Sequence, residues 1–352
     1  MQAQQRIPLI IVIDPHGDGK LAAEKFSRAL SDIPAIVAGS EKLRNNYPDF
    51  GSSLSYLIDD IIARYPEADP DKIIVSGFSG GARMAYHYGI QHKVLGIIMF
   101  GAGPGSLKGN TPNTRIYAVS GTRDFNFMEQ YIPPFSTLND DLDYKSDFFR
   151  GTHEWPPSKN IYESVALILK DEPDFQGSIS RGISEELLQE YDSLLESNDL
   201  FFAAKALEKA LNFSESKNDK NRISGMIDEF KNSPAWIDYS QKFTSFLQKE
   251  LRLKQAYVEK LADPDTSWWK KEIISLDQNL ISCSDPVQED FYYRIKGFIG
   301  IILYSQINAL LQQGILTEEL TSLVYIYEYA EPDSQDLISF KASIIQLTRQ
   351  QR

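Results

Sequence analysis

The sequence holds one cysteine, Cys283, and four histidines among 352 residues. A single thiol excludes an intrachain disulfide and any cysteine-built metal cluster. It is silent on compartment, because disulfide-free chains live on both sides of a membrane. Positive charge is also scarce: 36 Lys and Arg stand against 49 Asp and Glu, for a net charge of −13. Residues 1–172 carry 17 basic and 21 acidic side chains, and residues 173–352 carry 19 and 28. Neither half offers the cationic surface that phosphate backbones or anionic membranes attract, so nucleic-acid binding is not expected. Long apolar runs are missing too. The longest, Gly297 to Leu303 with its flanks, is broken by Ser305, Gln306 and Asn308 and reads as a buried helix too short to span a bilayer. Nothing in the motifs calls for a metal or a cofactor.

What is present divides in two. At 352 residues, with 42% hydrophobic and 24% charged residues, the chain exceeds one ordinary core. Fifteen of the 21 glycines precede residue 173. Before that point, apolar β-branched runs bounded by Gly or Pro alternate with helical spacing, which predicts βαβ units and a parallel sheet. Strands are expected at residues 7–13, 36–38, 73–75 (the nucleophile strand, started by Pro70-Asp71), 94–100, 115–120 and 142–149. Helices are expected over 21–30, over 52–64 with Ser52 as cap, and over 161–169. Met1-Gln2-Ala3-Gln4-Gln5 runs straight into the first strand. That fits a cytoplasmic chain, or an exported one whose signal peptide has been removed.

The third strand ends in Gly77-Phe78-Ser79-Gly80-Gly81 and passes at once into a helix. A strand that turns into a helix this sharply strains its central residue and pushes one hydroxyl out over the first helical amides. Ser79 is therefore the expected nucleophile. Asp124 lies 45 residues on, after the fifth strand, and His153 a further 29, after the sixth. In a parallel sheet all three reach the carboxyl edge of the strands, where ligands bind. Nucleophile, acid, histidine is a triad order: Ser79 attacks, His153 carries the proton, and Asp124 orients the imidazole. His87, deep in the following helix, and His92, at the other end of the sheet, fit less well. An oxyanion hole needs two amides aimed at the developing charge. Gly80 supplies one, and Gly17 or Asp18, after the first strand, is expected to supply the other. His16, Phe78 and Trp155 are candidates to line the substrate pocket.

His16-Gly17, Gly77 to Met84, Gly121 to Asp124 and Gly151-Thr152-His153-Glu154-Trp155-Pro156 together resemble an α/β-hydrolase over residues 7–170. The branch they are most similar to is that of polyhydroxybutyrate depolymerases and feruloyl esterases. The resemblance implies a mostly parallel sheet flanked by helices and a carboxylic-ester hydrolase working through an acyl-enzyme, on a small or polymer-derived ester. Asp14-Pro15 departs from the apolar residue usual before the His-Gly pair, and the leading antiparallel strands of many relatives are absent. Only residues 101–114 separate the fourth strand from the fifth, which leaves no room there for a cap domain.

Residues 173–183 read as a linker, and 184–352 as an all-α domain. One helical face comprises Ile183, Leu187, Leu188, Tyr191, Leu194 and Leu195, and a second runs from Phe202 to Leu211. Further helices are expected over 236–247, 256–261, 291–311, 317–329 and 336–347. The stretches 201–207 and 325–333 resemble tetratricopeptide-type repeats, with an irregular bundle as the alternative. Core packing is favoured over ligand binding for Trp268-Trp269. Two other functions stay open: a catalytically idle hydrolase fold whose helices bind a protein partner, and a peptidase on the same scaffold.

Overall fold

The computed structural model describes residues 6–104, 114–132, 143–173, 175 and 177–350. Two compact units make up the chain: residues 1–122 with 126–239, and residues 123–125 with 240–352.

In the first unit, continuous β-branched runs form buried strands and amphipathic runs form the helices that cover them. The strands are β1 (Ile7–Ile13), β2 (Ile36–Gly39), β3 (Ala68–Phe78), β4 (Gly96–Phe100), β5 (Arg115–Gly121) and β6 (Tyr144–Phe149). They pair in the order β2-β1-β3-β4-β5-β6, every pairing parallel. Between and after them come α1 (Gly19–Ala29), α2 (Phe50–Arg64), α3 (Gly80–Gly89), α4 (Phe127–Tyr131), α5 (Ser158–Leu169), α6 (Gly177–Glu196), α7 (Leu200–Phe213) and α8 (Lys217–Lys231). Alternate strand residues face opposite ways. Leu9, Ile11, Val75, Ile97 and Met99 pack with Leu54 and Ile58 of α2 and with Ala82 and Ala85 of α3. On the other face, Ile10, Val12, Ile74, Ile98 and Val119 join Phe26 of α1, Val165 of α5, Leu187 of α6, Leu207 of α7 and Ile223 of α8. This is a six-stranded parallel α/β sheet flanked by helices, with more helices following.

Several elements differ from their expected form. Ser52 lies inside α2, whose N-cap is Asp49 in the left-handed region at φ 52°. Strand β3 begins at Ala68, two residues before the expected start at Pro70, and runs to Phe78. Leu142, expected to open the sixth strand, lies outside the described residues, as do residues 105–113 of the segment between β4 and β5. Of the expected linker, Gly177 onward is already helical in α6, and the unit boundary falls between Tyr239 and Ser240.

That boundary lies within α9 (Pro234–Leu261), one continuous helix where two had been expected. The polar stretch 248–255 hides its periodicity. The second unit continues with α10 (Thr266–Ser282), α11 (Pro286–Leu311), α12 (Glu318–Ala330) and α13 (Gln335–Gln350). Its core gathers Tyr257, Trp269, Phe291, Ile295, Leu303, Leu323 and Phe340. Trp269 is completely buried, with its ring 5.1 Å from that of Trp268 and 5.5 Å from that of Tyr257. Deep in this unit Arg294 Nε donates to Glu250 Oε2 at 2.7 Å, which compensates two buried charges. Among the described residues no helix is long and apolar enough to cross a membrane.

Candidate active site

Ser79 sits between β3 and α3 with φ 52° and ψ −118°, a conformation that L-residues rarely adopt and that costs on the order of 1–3 kcal/mol. Its surroundings enforce it. The Ser79 amide donates to Phe100 O at 2.7 Å, and its carbonyl accepts from the Arg83 amide at 3.2 Å. A Cβ on Gly77 would fall 2.4 Å from the Gly81 backbone, and one on Gly81 would fall 2.2 Å from Ile13 O. Only glycine at both places lets α3 start this close to β1 and β3.

The hydroxyl so presented has a partner. His153 Nε2 lies 2.9 Å from Ser79 Oγ, so a side chain following β6 meets one following β3. The imidazole packs against Phe78, ring centroids 4.8 Å apart, and Phe78 packs against Trp155 at 5.3 Å. Trp155 also touches Phe100 at 5.8 Å and Phe26 at 6.4 Å, edge-on to the latter. Its indole Nε1–H donates to Asp14 Oδ2 at 3.3 Å. The aromatic group thus fixes one wall beside the imidazole and ties it to the loop after β1.

Asp124 is fully buried, three residues beyond the end of β5. The residues leading to it run beside those leading to His153. Thr122 N–H donates to Phe149 O at 2.9 Å, and a Cβ on Gly121 would fall 2.1 Å from Gly151 O. On its other side Asn126 Nδ2 donates to Gly101 O at 2.8 Å. Helix α4, too short to show a period, then closes over the loop after β4. Gln130 Nε2 donates to Ala102 O at 2.8 Å, and Glu129 accepts from both the Gly103 amide and Arg83.

The remaining candidates divide. Gly80 is the first residue of α3, so its amide has no acceptor within the helix and points out at the nucleophile's end. Gly17, at φ 93°, donates its amide to Asp14 O at 3.2 Å, and the Asp18 amide donates to Asp14 Oδ1 at 3.3 Å. Both amides are engaged within their own turn. The His16 amide is likewise bound to Asp14 Oδ1 at 2.8 Å, and its side chain is exposed. His87 bonds to Gln91 and packs near Phe50, while His92 stacks on Tyr88 at 3.9 Å. One residue that organises this turn, Asp14, was visible in the sequence only as a departure from the pattern of the resembled family.

No protein-family model and no curated protein sequence matches the chain. Among solved structures, it is similar to the esterase PE8 (16% identity, TM-score 0.36), over 47% of this chain and 93% of that one. An α/β serine hydrolase homologue from Coxiella burnetii is similar over 49% and 88% (15% identity, TM-score 0.36). An S-formylglutathione hydrolase from Agrobacterium tumefaciens is similar over 47% and 83% (11% identity, TM-score 0.37).

Proposed function

We propose that the protein is a serine hydrolase that cleaves carboxylic esters through an acyl-enzyme, with Ser79 as nucleophile, His153 as general base and Asp124 as the acid of the triad. The observation that carries this reading is the 2.9 Å approach of His153 Nε2 to the hydroxyl of a serine held in a strained strand-to-helix turn. As Ser79 Oγ adds to the ester carbonyl, its proton passes to Nε2 and the carbonyl π pair moves onto oxygen. Collapse of the tetrahedral adduct breaks the bond to the alcohol, which leaves with that proton. Water then repeats the sequence to release the acid and free Ser79. This requires the tautomer with Nε2 bare and Nδ1 protonated, which a buried carboxylate such as Asp124 would select. Chain order and the neighbouring backbones before residues 124 and 153 support that assignment.

The Gly80 amide is the proposed oxyanion donor, and Phe78 and Trp155 form the apolar wall for the substrate, with His16 at its rim. The quoted motifs favour the polyhydroxybutyrate-depolymerase and feruloyl-esterase-like branch. The helical second half, read as tetratricopeptide-like, is proposed to bind a protein partner.

The experiment is hydrolysis of a short p-nitrophenyl ester. Wild type should turn over and react with a fluorophosphonate at Ser79, while Ser79→Ala should do neither. Equal rates for the two proteins would leave the fold idle and end the enzyme reading.

A further inference from the structure

One oxyanion donor is half a hole, and the turn after β1 keeps its amides for itself: those of residues 16, 17 and 18 all point back to Asp14. Another group with N–H to give lies against Gly80. The carboxamide of Asn45, in the loop between β2 and α2, is so close that a Cβ on Gly80 would fall 1.8 Å from its Oδ1 and 2.8 Å from its Nδ2. We infer that the Asn45 side-chain amide is the second oxyanion donor, acting beside the Gly80 amide on the substrate carbonyl. This rests on the serine-hydrolase reading of the same site.

The support beneath Asn45 is stiff. Its own amide donates to Pro15 O at 2.9 Å, which ties the loop to the turn after β1. Two residues earlier, Leu43 is buried in the core at 2% exposure. Asn46 takes the left-handed conformation at φ 60°, and the Tyr47 amide closes on Arg44 O at 3.0 Å. The Asn45 side chain is itself exposed, and its carboxamide makes no hydrogen bond among the described residues. A half-turn about its terminal bond exchanges Oδ1 and Nδ2, so either can face the site, and an arriving oxyanion selects the N–H end. Glycine at 80 keeps the space between helix start and carboxamide open. A donor aimed at charge that develops only in the transition state lowers the barrier without tightening the ground state.

The test compares wild type with Asn45→Ala and Asn45→Asp on the same p-nitrophenyl ester. Loss of one oxyanion donor should lower kcat by about 10²–10³ while KM moves by no more than about threefold. Asn45→Asp should be at least as slow, because it sets a carboxylate against the oxyanion. The melting temperature of Asn45→Ala should match wild type, since the side chain is exposed and unbonded. An Asn45→Ala enzyme within about threefold of wild-type kcat, or one whose loss lies in KM or in melting temperature alone, overturns the inference. A wild type that neither hydrolyses the ester nor labels at Ser79 instead removes the serine-hydrolase reading, which keeps the two failures distinct.

Discussion

Asp14 collects three hydrogen bonds on one carboxylate that is 7% exposed: from the His16 and Asp18 amides and from the Trp155 indole. Asp14→Ala would leave those donors without an acceptor in a mostly buried place, at a cost of about 1–3 kcal/mol. For a unit this large that corresponds to a fall of several degrees in melting temperature. A thermal scan followed by tryptophan fluorescence measures it, and an unchanged midpoint would mean that water replaces the carboxylate. At this scale the sequence was most legible where a residue's role is local. Ser79 announces itself because the glycines that permit its conformation stand two places away on either side. His153 shows because Gly151 and Pro156 bracket it. Asp14 does not show, because the indole it fastens lies far along the chain: 141 positions separate it from Trp155.

Helix α7 is fastened to the sheet by charge as well as by apolar contact. Lys209 Nζ lies 3.1 Å from Asp147 Oδ2 on β6 and 2.8 Å from Glu163 Oε2 on α5, where the two carboxylates are 1% and 3% exposed. Asn160 Nδ2 also donates to Asp147, at 3.2 Å. Burial would by itself lower the Lys209 ammonium, but Asp147 and Glu163 outweigh it and hold its pKa above the ordinary value. Burial likewise pushes the Glu163 carboxyl up, against the pull of Lys209, and it drives the neighbouring Tyr117 hydroxyl well above its usual range. A folded-state pKa raised above the unfolded one contributes stability that is complete below the unfolded value and is lost as pH rises through the folded one. For Lys209 and Tyr117 that loss begins above about pH 10. Lys209→Met, which strands two buried carboxylates, should cost about 3–5 kcal/mol near neutral pH. The cost should shrink toward pH 5 as Glu163 takes up a proton, and denaturant titrations at pH 5 and pH 8 check both statements. Legibility at this scale followed amphipathicity. The strands and α1, α5 and α7 carry clear apolar stripes. Helix α8 buries only Ile223 and Phe230, too few to mark a face. Helix α4 has five residues, fewer than two turns, and α9 crosses a polar stretch without breaking.

For the molecule as a whole, glycine thins after residue 173, beyond the last strand, while the first unit runs on to Tyr239. Glycine content records how a chain turns. It does not record which core a helix joins, and that is why the extent of the unit could not be read from it. Leu187, Leu207 and Ile223 come after the last strand, yet they share one cluster with Ile10 and Ile74. Elements on both sides of the segment between α5 and α6 therefore share a single core. A chain cut once there should behave as one particle: two bands on a denaturing gel, a single peak at the intact mass on a native column, and the two pieces finding each other again after dilution from urea. If the pieces elute apart, the interior surface between them is too small to hold them without the tether.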